Sequence, residues 1–308
     1  MHDQELRQYL FGMGLPIPAV GGNIFFVAEP TTKAWDWMTS RVKTHQLCDS
    51  TTQALSRCVD YQNDTVVILP YHTEAISAAD QVNFNKAGVD VFGLGRGSGI
   101  PKFDFTNAAG ELIVSAPDVR LKNIRLHANV PDVLLGLTLE ATALGCELGG
   151  IVGSVETTGT DEFATTIEVI AAANGALIEN CSIDNGLGNA VQAIHLNGAS
   201  ANQQILKNFI TGDYSTANIA GSTTASTVLK IGHNILQNGT GTDINTEPNI
   251  ELNGNSTGII YNNYCACNLA TKAASIVAAA CFLFENYYNE DISGAATGGI
   301  IGTASADG

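Results

Sequence analysis

Basic residues are scarce in this chain. Fourteen Lys and Arg stand against 30 Asp and Glu over 308 residues, a formal net charge of −16. Phosphate contacts need clustered cations, and the nearest cluster here is only Arg120, Lys122 and Arg125. Nucleic acid is therefore not an expected partner. Alternation places Arg120 and Lys122 on one outward face, joined by Arg125 if the strand bends at Asn123; a solvated face is expected there, or pairing with acidic neighbours. Long apolar runs are missing as well. None approaches the roughly 20 residues that span a bilayer, and the acidic opening residues with no long apolar core behind them do not read as a signal peptide.

Cysteine is present in an odd number: Cys48, Cys58, Cys146, Cys181, Cys265, Cys267 and Cys281. Complete intrachain pairing is thereby excluded, and no CxxC metal spacing occurs. Cys265 and Cys267 would point to one face of a strand, too far apart along it for good disulfide geometry. Buried free thiols acting as small hydrophobes are expected, consistent with assembly in a reducing cytoplasm.

Catalytic constellations are equally thin. Glycoside hydrolysis needs two carboxylates converging on one bond, but Asp60 with Asp64, Asp161 with Glu162, Asp184, Asp243, and Glu290 with Asp291 mostly lie beside turns. Asp184-Asn185-Gly186 and Asn245-Thr246-Glu247 could hold a cation at a corner, though such residues more often cap turns. His72, His127, His195 and His233 are scattered, with His195 expected to face outward from a strand. There is no Gly-x-Ser-x-Gly elbow and no His-x-x-x-His pair. Gly93-x-Gly95-x-Gly97-x-Gly99 leads into Pro101 and more strand rather than a helix, so it reads as a corner and not a phosphate loop. No catalytic residue, metal or cofactor is assigned.

What the chain does contain is a phrase repeated eight times: an apolar residue (once Gly), any residue, Asn or Gly, then an apolar residue. Its Asn/Gly slots are Gly93, Asn123, Gly150, Asn180, Asn208, Asn234, Asn263 and Asn286, separated by 30, 27, 30, 28, 26, 29 and 23 residues. A fixed period of this size marks a stacked repeat. Apolar positions alternate as in strands, and Gly and Asn between them suit sharp corners. Two or three short strands per unit make one coil of an all-β, right-handed, single-stranded parallel β-helix. Leu121, Leu148, Ile178, Leu206, Tyr261 and Phe284 are expected to form its core ladder, and the Asn/Gly slots to stack along the axis, each amide bonding the next.

The helical signal is confined to about Ser50–Tyr61, with Asp49 as N-cap and Leu55, Cys58 and Val59 on one face. It precedes an expected first strand, Thr65–Pro70, and would cap the open end of the stack. The chain thus divides into an arm, 1–22, a β-helix domain, 23–291, and a Gly/Ala-rich tail, 292–308, holding Ile300-Ile301. A short helix is expected at Gln4–Phe11. Leu6, Leu10, Phe11 and Leu15 give the arm an apolar strip that is either a docking element or a frayed terminus.

The stretches Asp64–Ser77 (DTVVILPYHTEAIS), Ala87–Gly95 (AGVDVFGLG), Pro101-x-Phe103-x-Phe105, Gly22–Val27 and Phe282–Tyr287 resemble bacteriophage virion proteins of the pectate-lyase-like β-helix type, over roughly Gly22–Tyr288. The resemblance implies a structural capsid decoration or head-surface protein, a homo-oligomer and typically a homotrimer. It would be assembled in the host cytoplasm and carried on the virion surface, with itself and the major capsid protein as partners and neither nucleic acid nor membrane. It supplies no catalytic motif. The alternative is a tailspike-like glycan-binding or depolymerising receptor-binding protein; tailspikes usually carry an N-terminal adaptor and a C-terminal trimerisation region, and neither is expected from this sequence.

Overall fold

A computed structural model describes residues 22–155, 161–186, 190–239, 247–267, 275–289 and 298–301. The expected arm, with Leu6, Leu10, Phe11 and Leu15, lies outside them, as do Asp243, Asn245, Thr246, Glu290 and Asp291. The fold is a parallel β-solenoid of about seven turns, built from three sheets.

Each coil contributes one strand to each sheet in a fixed order. Arg120–Lys122 joins the first sheet, Arg125–Ala128 the second and Val133–Leu139 the third; the next coil repeats this with Glu147–Gly149, Val152–Val155 and Phe163–Ile170. Successive rungs pair in parallel, for example Leu121 with Leu148 and Leu148 with Ile178, at the inter-strand spacing of about 4.8 Å. Alternate residues point into one continuous core running the length of the stack.

The N-terminal end is closed by two helices. Thr51–Arg57 (α2) is the expected cap, but its N-cap is Ser50, whose Oγ accepts the Gln53 N–H, rather than Asp49. Leu55 and Cys58 are buried, whereas Val59 lies beyond the helix end and is 53% exposed. The stack also starts earlier than Thr65–Pro70: Ile24–Val27 pairs with Thr65–Ile68 on one side and with Leu47–Cys48 on the other. A second helix, Lys33–Thr39 (α1), capped by Thr32, covers the outer face of these first rungs with Met38 against Phe26 and Val67. At the far end, Gly298–Ile301 pairs antiparallel with Asn286–Asn289 and finishes the second sheet.

Six of the core assignments split evenly. Leu121, Leu148 and Ile178 are buried. Leu206, Tyr261 and Phe284 are not core residues: their rung partners are Glu179 and Gly232, and the buried column continues instead through Ile205, Ile231, Ile260 and Leu283. Between Asn180 and Asn208 the phrase slips by one residue against the coil, and a one-residue slip turns a side chain to the opposite face.

Candidate functional site

The same slip divides the Asn/Gly slots between two places at the corner linking the first and second sheets. Asn123, Gly150 and Asn180 occupy the left-handed turn position, with φ of 54°, 61° and 54°. From the next coil onward that position holds Lys207, His233, Asn262 and Glu285, at 57°, 57°, 51° and 49°, and Asn moves one residue on, into the interior. Asn208, Asn234, Asn263 and Asn286 are all buried. Their side-chain amides donate in series to the next Oδ1 at 3.0, 2.9 and 2.9 Å. Each Nδ2 also bonds a backbone carbonyl of the preceding coil, as Asn234 does to Ile205 O at 3.0 Å. Each of the two inner amides makes four hydrogen bonds, the full capacity of an Asn. Cys181 heads the column, its N–H donating to Asn208 Oδ1 at 2.9 Å. Ile124 and Ile151, buried in the coils before it, immediately follow the turn residues Asn123 and Gly150. Gly93 lies on the turn-side column, where the Asn123 amide bonds its carbonyl at 2.7 Å.

Outside this corner the surface changes character along the axis. On the earlier coils the outward positions are charged and paired: Arg120 binds Asp90 in a two-pronged contact, and Lys122 binds Glu147. Arg120 and Lys122 therefore share the face expected for them but are neutralised there. Arg125 lies beyond the turn, on the second sheet, and donates to Gly97 O. Asp104 there receives Lys102 at 3.1 Å and His127 at 2.7 Å. Burial pushes the Asp104 carboxyl up, but the hydrogen bonds from His127 and Lys102 and the Lys102 charge outweigh it and hold it below the usual carboxylate range.

On the later coils the outward positions become largely apolar, with Gln204 and Lys230 heading the column that continues into Ile259 and Phe282. The first sheet presents Ile259 and Phe282 in one column and Leu206, Tyr261 and Phe284 in the next. The second presents Phe209, Ile235, Tyr264 and Tyr287 on successive rungs. Phe282 is 69% exposed and Tyr264 57%. Tyr261 lies over Gly232, where a Cβ would meet its ring at 2.5 Å, and its edge meets His233. A shallow groove of about 310 Å³ borders this flank, with Val228, Leu229 and Ile259 as apolar walls and Gln204 and Lys230 at its rim.

The expected acidic candidates are mostly structural. Asp64 accepts from Asn23 N and Val59 N, Asp60 from Ala87 N, and Asp184 from Gly186 N. Thus Asp184-Asn185-Gly186 is capped as a turn by its own carboxylate. A polar track that the spacing did not reveal runs over the third sheet, where Thr138, Glu168 and His195 are rung partners. Glu168 accepts from His195 at 3.1 Å and Asn197 at 3.0 Å, and Thr138 donates to Glu111. Burial, with Asp80, Glu168 and Glu140 nearby, raises Glu111 despite the Thr138 bond. No group of side chains suited to holding a metal ion occurs among the described residues. All seven cysteines are free and buried.

Compared with family models, curated proteins and solved structures, the chain matches none of them.

Proposed function

We propose that this chain is a structural protein of a bacteriophage particle, a capsid decoration or head-surface protein that works as a homo-oligomer. The observation that carries the reading is the division of the flank: the earlier coils neutralise their charges internally, and the later coils leave a largely apolar band uncovered. Monomeric soluble proteins rarely expose contiguous apolar bands, and such bands mark contact sites. The resemblance over roughly Gly22–Tyr288 supports the virion setting and the homotrimer it implies. The net charge of −16 favours solubility of a protein made in many copies.

The geometry weighs against a sugar platform. Tyr264 and Tyr287 stack on one another at 5.0 Å and 14°, so each ring has one face covered by its neighbour. Stacking on a saccharide needs an open ring face.

Co-sedimentation of the full-length protein with capsids lacking it is the test. Saturable binding at a fixed number of copies per capsid is expected. Cleavage of host surface glycan by the protein, or no affinity for capsids, would overturn the assignment.

A further inference from the structure

The apolar band does not lie on one face. It occupies two adjoining faces, those of the first and second sheets, on either side of the amide-ladder corner. On the third sheet the corresponding column runs through Thr138, Glu168, His195, Ala220, Glu251 and Val277, with Val277 its one large apolar residue. A two-fold contact is self-complementary and needs one patch per copy. Two adjoining patches need two neighbours.

We infer that the later coils pack against further copies of this chain in a closed ring, with solenoid axes running together and the amide-ladder corners pointing inward. The first-sheet columns of one copy, Phe282 and Phe284, would then meet the second-sheet column of the next, Phe209, Ile235, Tyr264 and Tyr287. This rests on the oligomeric reading above and adds the surface, its partner and the direction of packing.

Two observations favour a second copy over another occupant. The first is period. The bands repeat once per coil, about 4.8 Å, and only a partner with the same rise matches them rung for rung along their length. Another copy has that rise by construction. The second is charge. The chain is strongly acidic, so two copies repel over most of their surface. The segments Gln204–Phe209, Leu229–Ile235, Gly258–Tyr264 and Cys281–Tyr287 contain two lysines, Lys207 and Lys230, against one glutamate, Glu285. This is the part of the flank where one acidic copy can approach another. No ion pair to Lys207 or Lys230 occurs among the described residues.

Sedimentation equilibrium of the full-length protein tests the inference, with Tyr264→Glu/Phe282→Glu as the disrupting variant and Val59→Glu as the control. Val59 is exposed at the opposite end of the stack, so the control should keep the wild-type mass, and circular dichroism should show all three folded. The expected result is a wild-type oligomer of at least three copies and a monomeric double variant. An oligomer that survives the double substitution overturns the inference and leaves the capsid reading standing. A wild-type monomer whose capsid binding is lost in the double variant makes the capsid, not a second copy, the occupant. The ring is checked separately with Phe282→Cys and Ala266→Cys: mixed copies should cross-link across the two faces, whereas a two-fold contact would cross-link each variant with itself.

Discussion

Asn180 and Asn208 stand in the same sequence phrase, and replacing each by Gly should have opposite consequences. Asn180 is exposed and sits at φ 54°, a conformation that Gly adopts without steric cost. Its replacement should change stability by less than about 1 kcal/mol, the usual range for surface positions. Asn208 is buried at 1% exposure. Its amide accepts the Cys181 N–H at 2.9 Å and donates to Ile178 O at 3.1 Å and Asn234 Oδ1 at 3.0 Å. Asn234 Oδ1 would keep the Asn208 N–H, at 2.9 Å. Cys181 N–H and Ile178 O, both inside the stack, would each lose the side-chain partner. Ile178 O keeps its place in the strand ladder beside Leu206, so only Cys181 N–H is left without a partner. At about 1–3 kcal/mol for that group and about 0.5–1.5 kcal/mol for the second bond to Ile178 O, the loss comes to about 1.5–4.5 kcal/mol. Urea denaturation followed by circular dichroism measures both. Because solenoid contacts are nearest-neighbour, hydrogen exchange should rise first at Cys181 and in the adjoining rungs. Equal losses at the two sites would refute the division of the corner into a turn column and a ladder column.

Three further outcomes follow from the same geometry. Ile205→Ala should cost about 2–5 kcal/mol, whereas Leu206→Ala, on the outward face, should cost about 1 kcal/mol or less; in urea melts the reverse order would mean the register is misplaced. Asp104 is held below its ordinary value, so the stability it contributes is present above the usual carboxylate range and is lost as pH falls through the lowered folded value. In acid titrations Asp104→Asn should therefore be less stable than wild type near neutral pH and show a shallower decline on acidification, and an unchanged acid limb would discount the Lys102–Asp104–His127 cluster. Burial pushes the thiols of Cys58, Cys181 and Cys265 up to about 12, so iodoacetamide at neutral pH should leave them unmodified until urea unfolds the chain; rapid labelling of native Cys181 would contradict its place at the head of the ladder.

The solenoid is legible in the sequence because its signal is redundant: each coil repeats strand alternation, corner residues and period. The register is less so. Asn is at home both at a left-handed turn and in a buried amide column, so Leu121-Lys122-Asn123 and Leu206-Lys207-Asn208 look alike while their Asn residues occupy neighbouring places. That ambiguity put Leu206, Tyr261 and Phe284 in the core and thereby concealed the apolar flank, since an outward aromatic and an inward one differ by a single step along a strand. The acidic groups of the third sheet escaped for another reason. Glu168 and His195 are 27 residues apart in the chain and meet only because they are rung partners. Short helices such as Lys33–Thr39 carry too few turns to show a period, and this one is held by Thr32 at its start and by Met38 against the outer rungs.

The most direct measurement of the central claim, that the later coils are a contact surface between copies, is hydroxyl-radical footprinting read by mass spectrometry at low and high protein concentration. Tyr264 and Phe282 should be labelled in dilute solution and protected as the protein concentrates, while Tyr61 and Tyr71, 63% and 68% exposed near the other end, should be labelled equally in both. Equal labelling of all four at every concentration, or protection confined to Tyr61 and Tyr71, would contradict the account.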